Sequence, residues 1–239
     1  MDDKRVALAV IVLLAHMTEA ITGFGSTLLA LGLGAQLYPI SSLVPVLIPL
    51  NLGLSVFLAA RYRGAIDGAE LRGRVLPLAG LGMCAGLAAS RLPPGFGLQR
   101  LFGLILCVFA ARGLARRGEH AALPLWQGRL LLLGAGVMHG LYASGGPMLV
   151  AYASARIKDK GIFRSTLSMV WLAGNAALLA VLALSGAMGA QTWKASAWLL
   201  PAAAVGAAAG VALHDRVPQK GFATLTHLLL AGAGTLLLR

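Results

Sequence analysis

The sequence predicts an all-α integral membrane protein of about eight hydrophobic segments in a 4+4 repeat. The two halves are expected to be inverted copies, with the first segment of each broken or re-entrant. Three observations predict this. The 239-residue chain is 58% apolar and 12% charged, against roughly 25% charged in ordinary soluble domains. Its apolar residues gather into runs that, with their flanks, approach the ~20 residues needed to cross a hydrocarbon core. The first half also overlays the second, with punctuating residues recurring at offsets of 121 to 124. Repeats of this kind frame the binding site in many secondary transporters.

The runs, in order, are Val6–Ala15, Leu43–Ala60, Leu76–Ala89 and Leu98–Ala111, then Leu130–Met138, Leu167–Leu184, Trp198–Leu213 and Phe222–Leu238. The chain reads as one membrane domain, 1–239, with repeat one at 1–118 and repeat two at 119–239. Apolar runs take up so much of it that no soluble domain fits beside them. Met1 to Arg5 ahead of Val6–Ala15 imitates a secretory signal. The same segment has an internal counterpart near 127–141, which cannot be a signal, so it is read as the first membrane element.

That first segment is unusual. Val6 to Leu37 stays nearly apolar but is cut at Thr22-Gly23-Phe24-Gly25-Ser26, and its counterpart is cut at Ala143-Ser144-Gly145-Gly146-Pro147. Glycine weakens a helix interior and proline suits a first turn, so each cut reads as one short helix ending and another beginning, at Ser26 or Pro147. Either each cut segment crosses once, or it returns to its starting side. Single crossings divide the 20 Lys and Arg as 12 against 8, whereas returning segments divide them as 14 against 6. The second split obeys the positive-inside tendency better. It makes the halves inverted, with Lys4 and Arg5 outside.

The net charge of +12 would suggest nucleic acid in a soluble protein. Here the basic residues sit between apolar runs: Arg61, Arg63, Arg72, Arg74, then Arg112, Arg116, Arg117, Arg129, then Arg156, Lys158, Lys160, Arg164. They read as orientation signals, and nucleic acid is set aside. Cys84 and Cys107 have neither metal-ligand nor disulfide spacing and read as small core residues. Trp126, Trp193 and Trp198 read as interface anchors, with Trp171 deeper.

Non-helical backbone inside a bilayer survives only where protein or a water-filled cavity supplies partners. The cuts are therefore the first candidates for a site, and a helix N-terminus there favours an anion. At offset 124 Asn51 falls on Asn175, Pro77 on Pro201, Gly82 on Gly206, Gly86 on Gly210, Pro94 on Pro218 and Gly97 on Gly221. The asparagines read either as cavity groups or as interhelical glue. Gly82/Gly86 and Gly206/Gly210 read as close helix packing. Glu19, His16 and His139 are the ionisable groups nearest the cuts, with proton relay the first idea and a watery vestibule the alternative for the first two. Glu19 aligns with Gly140, and His16 with Val137. Arg164, opposite Ile40, reads either as a fork for an oxyanion or as an anchor charge.

These residues resemble the sulfite exporter TauE/SafE family of small bacterial membrane transporters. The resemblance rests on Gly140-Leu141-Tyr142-Ala143-Ser144-Gly145-Gly146-Pro147, on Phe163-Arg164-Ser165-Thr166-Leu167 with Asn175 following, and on the four-plus-four repeat. The first cut departs from it, lacking a third glycine and a proline after Gly25. The resemblance implies transport of sulfite, organosulfonates or other small organic acids across the bacterial inner membrane. The expected mechanism is alternating access around a midplane cavity lined by both cuts, with the second repeat holding most of the substrate. Expected substrate contacts are Thr22, Gly23, Gly25, Ser26, Asn51, Tyr142, Ser144, Gly145, Gly146, Pro147, Arg164 and Asn175, with His139 and Glu19 as proton-coupling candidates. Expected partners are the small anion, protons and lipid, and a homo-oligomer is compatible with the reading. No cofactor or metal is called for, and no enzyme activity is expected. Two rival readings are an intramembrane hydrolase using Ser144 with His139, poorly placed on one short helix, and a non-transporting assembly subunit.

Overall fold

A computed structural model describes residues 3–62, 66, 68–90 and 123–214, with scattered positions in 100–115 and 216–238. Arg63, Pro94, Gly97, Arg112, Arg116, Arg117, the 118/119 repeat junction, and much of Leu98–Ala111 and Phe222–Leu238 lie outside the described residues. Among the described residues every regular element is helical. The elements are α1 (Asp3–Thr22), α2 (Ser26–Gly34), α3 (Ile40–Arg61), the short α4 (Gly68–Glu70), a π turn (Leu71–Val75) and α5 (Leu76–Ala89), then α6 (Leu125–Tyr142), α7 (Gly146–Ser154), α8 (Lys160–Leu184) and α9 (Ala190–His214). Four of them, α1, α3, α8 and α9, are long and apolar enough to cross a membrane.

Local chemistry sets these bounds. In α1 the Thr18 hydroxyl donates back to Leu14 O at 2.9 Å, which keeps a polar group compatible with an apolar helix. The helix stops at Thr22 because Gly23 takes φ +86° and Gly25 φ +107°, conformations that L side chains rarely adopt. Pro39 precedes α3, and Pro45 and Pro49 lie inside it. Between them Val46 O takes a bond from Ser196 of α9 at 2.8 Å.

The described residues form two compact units. Unit one comprises 1–68 and 164–216. Its core joins Leu8, Val12 and Ala15 of α1 to Leu31 of α2, Leu43, Leu47 and Leu50 of α3, and Leu199 and Ala203 of α9. Gly206 and Gly210 of α9 lie directly on the α1 backbone, where a Cβ would run into Leu13 O and Met17 O respectively. In lipid no hydrophobic force separates helix from solvent, so close backbone approach of this kind supplies van der Waals adhesion.

Unit two comprises 69–163 and 217–239. There α5 runs along α6, with Gly82 and Gly86 against Leu133 O and Val137 O, while Gly136 of α6 meets Ala79 O in return. Both glycine pairs thus mediate close packing. Cys84, read from sequence as a core residue, is instead exposed on α5. It lies between Gly82 and Gly86 in sequence, and the helix turns those two, not Cys84, toward α6. Trp126, Trp193 and Trp198 are exposed, and Trp171 is buried.

Candidate functional site

The break between α1 and α2 gathers buried polar groups in unit one. Two of the last carbonyls of α1, which a helix end leaves without intrahelical donors, and the Gly23 carbonyl just past that end are met by side chains from α8 and α9. Arg164 Nη1 donates to Ala20 O at 3.0 Å, His214 Nδ1 lies 2.7 Å from Ile21 O, and Trp171 Nε1 donates to Gly23 O at 2.7 Å. Arg164 and Trp171 are seven residues apart, two turns of α8, and so share one face. The Thr22 hydroxyl sits 2.8 Å from both Thr18 O and Phe24 O and can donate to either.

Arg164 is 1% exposed, so it is not a solvated anchor. Its guanidinium stands 4.0 Å from the Tyr62 ring centroid, a cation–π contact worth about 2 kcal/mol when desolvated. Its own Cα packs on the break, where a Cβ on Gly23 would come within 2.9 Å of it. Gly23 is required here twice, by its dihedral and by this approach.

On the other side of the break, Ser26 opens α2. Its N–H donates to Glu19 Oε2 at 3.0 Å, and its hydroxyl contacts the same carboxyl oxygen. Ser26 Oγ also lies 3.1 Å from Asn51 Oδ1, and Asn51 Nδ2 donates to Thr27 Oγ1 at 2.7 Å. One turn along α3, Ser55 donates to Asn51 O at 2.8 Å and receives Asn175 Nδ2 at 3.4 Å. Asn175 Oδ1 is buried and without a hydrogen-bond partner among the described residues. Glu19, Ser26, Thr27, Asn51, Ser55 and Asn175 therefore form one linked polar track in an apolar bundle.

At the α2 N-terminus the Ser26 N–H is taken by Glu19 of the same chain. His16 and Glu19 are also buried, not facing a vestibule. His16 Nδ1 lies 2.9 Å from Val12 O.

Unit two carries the second break. Helix α6 ends at Tyr142, and Ala143 takes φ +53°, its N–H bonding His139 O at 2.8 Å. Gly145 is pressed on Ala135 O, where no Cβ fits, and α7 starts at Gly146 with Pro147 in its first turn. His139 is buried. Ser144 Oγ is buried with no hydrogen-bond partner among the described residues, so it is not joined to His139 as a hydrolase nucleophile would be to its base. At the far end of α7 the Tyr152 hydroxyl donates to Glu70, which also pairs with Arg74 at 2.9 Å and faces Arg156 at 3.8 Å. Burial first, then this bond to the carboxylate, pushes the Tyr152 phenol up to about 12, so at neutral pH it remains a donor.

Of the expected residues, Glu19, Thr22, Gly23, Gly25, Ser26, Asn51, Arg164 and Asn175 come together in unit one, and His139, Tyr142, Ser144, Gly145, Gly146 and Pro147 in unit two. Sequence reasoning missed Thr27, Ser55, Tyr62 and His214. Only Ser55 carried a usable signal, standing four residues after Asn51 on the same helix face.

The model of the sulfite exporter TauE/SafE family matches residues 8–237, nearly the whole chain. The chain belongs to the TauE/SafE family. Among curated proteins and solved structures, nothing matches it significantly. Membership in the TauE/SafE family, together with the four apolar helices, makes this a membrane transport protein.

Proposed function

We propose that the chain is a secondary transporter moving a small anion across the bacterial inner membrane by alternating access. The anion is sulfite, an organosulfonate or a related small organic acid. The observation that carries this reading is the unit-one break, where a buried Arg164 and a linked polar track interrupt an apolar helix bundle. Buried charge and non-helical backbone are costly in a membrane and mark transport pathways. Arg164 supplies the fork geometry that oxyanions favour. Within unit two, Tyr142, Ser144, Gly145, Gly146 and Pro147 of the second break are candidate substrate contacts in their own right, and Glu19 or His139 serves as the proton-coupling group.

The 4+4 repeat is supported by packing. Gly82 and Gly86 of the first half lie on α6, and their counterparts Gly206 and Gly210 of the second half lie on α1. The distribution of Lys and Arg favours inverted copies and an outward N-terminus.

The test is uptake of sulfite, sulfonates and small carboxylates by vesicles reconstituted with the purified protein, with and without a pH gradient. Uptake of at least one is expected, and none under either condition would sink the proposal. A periplasm-sensitive reporter on each terminus checks the orientation, and a cytoplasmic N-terminus would defeat it.

A further inference from the structure

Three contacts at the unit-one break each need one proton. Ser26 Oγ meets Glu19 Oε2, Ser26 Oγ meets the Asn51 amide at 3.1 Å, and the Asn51 amide meets Thr27 Oγ1 at 2.7 Å. A hydroxyl gives one hydrogen, an amide gives from nitrogen and accepts on oxygen, and an ionised carboxylate gives none. In the structure Asn51 Nδ2 is turned to Thr27. Its oxygen then needs the Ser26 hydrogen, and the Ser26–Glu19 contact needs a hydrogen from Glu19 itself. If Glu19 loses that proton, Ser26 must donate to the carboxylate, and Asn51 Oδ1 is left facing Ser26 Oγ with no hydrogen between them.

A half-turn of the Asn51 amide repairs this. Nδ2 then donates to Ser26, and Thr27 donates to Asn51 Oδ1. The same heavy atoms thus support two complete hydrogen-bond patterns that differ by one proton. Leaving a buried partner unmet is costly enough to tie the amide orientation to the proton.

We infer that Glu19 is the binding site of a coupling proton and that Asn51 reports its occupancy to Thr27 by turning over. This rests on the transport reading proposed above. With the proton bound, Thr27 Oγ1 accepts from Asn51 and its own hydrogen is released to another acceptor. Without it, that hydrogen is spent on Asn51. Protonation therefore adds a donor in the first turn of α2, which is what an incoming oxyanion requires, and proton and anion bind together. The proton comes from water, and no other bond is made or broken.

The charged and titratable groups around Glu19 are few. On α1 His16 lies one turn away with Nδ1 toward Val12 O; α8 contributes Arg164, bonded to Ala20 O; and α9 contributes His214, against Ile21 O. Ser26 and Thr27 from α2 and Asn51 from α3 are uncharged. Among the described residues Glu19 is in no ion pair within 4 Å.

Acid–base infrared difference spectra of the purified full-length protein test this. Acidification should raise a protonated-carboxyl band together with a change in a side-chain amide band. E19Q, whose amide oxygen accepts both Ser26 donors and which carries no titratable proton, should lose both signals. N51A should keep the carboxyl band and lose the amide change. A carboxyl band that survives E19Q, or an amide band indifferent to pH in the wild type, overturns the inference. If E19Q does not fold, S26A must shift the carboxyl band, and an unshifted band is equally fatal. In vesicles, stimulation of sulfite uptake by an imposed proton gradient should vanish in E19Q and in T27V, and stimulation intact in both would also refute it. If wild-type vesicles take up no anion, the transport reading fails while the infrared result still decides whether Glu19 carries the proton.

Discussion

Replacing Gly23 with alanine, beside the same change at Gly25, separates two costs that the first break combines. Both glycines sit at positive φ, +86° and +107°, which burdens an L residue by roughly 1–2 kcal/mol. Their surroundings differ. A Cβ on Gly25 meets only Thr18 Cγ2, at an ordinary 3.8 Å. A Cβ on Gly23 falls 2.9 Å from Arg164 Cα and 3.3 Å from Arg164 Cγ. The first of these is backbone, so no rotamer change clears it and α8 must move. Overpacking of this kind adds about 1–3 kcal/mol. The displacement also pulls Arg164 from Ala20 O and Trp171 from Gly23 O. G25A should therefore cost about 1–2 kcal/mol and G23A about 2–5 kcal/mol, the sum of the two terms. At about 2–4 °C per kcal/mol for a chain of this size, thermal unfolding of the detergent-solubilised protein resolves the difference. Equal shifts for the two variants would refute the packing of α8 on the break.

Three further outcomes are expected. W171F removes the donor to Gly23 O and should cost about 1–3 kcal/mol by the same unfolding measurement; no change would mean that carbonyl finds another partner. G206A should lower stability by at least about 1–3 kcal/mol through its clash with Leu13 O, whereas Gly53→Ala, with nothing within 4 Å, should raise it by up to about 1 kcal/mol. Reversal of that order would overturn the α1–α9 contact. Because the Tyr152 phenol titrates higher in the folded protein than its ordinary value of about 10, its contribution is fully present below pH ~10 and is lost as pH rises toward about 12. The stability difference between wild type and Y152F should shrink across that interval, and a difference constant with pH would contradict the bond to Glu70.

The places where the chain breaks were legible because glycine and proline act locally. The first break, read at Thr22 to Ser26, falls where α1 ends and α2 begins, and the second helix start, read at Pro147, falls one residue early at Gly146. What fills the first break was not legible. Glu19 reaches Ser26 across an interruption that destroys helical phase, so no periodicity relates them. The burial of Arg164 was hidden because its neighbours Lys158 and Lys160 look like loop charges, while the groups that enclose it, Tyr62 and Ala20 O, lie over a hundred residues away. The exposure of Cys84 was missed for a different reason, since in a membrane helix an apolar run gives no hint of which side meets lipid.

The glycine faces of α5 and α9 have a consequence for biogenesis. The groove along Leu13 to Met17 of α1 is covered by Gly206 and Gly210, residues translated almost two hundred positions later. An amino-terminal half released alone would carry α1 with that backbone groove bare, and α5 would have no α6 to lie on. Each glycine face thus meets its partner only once the other half of the chain has been made.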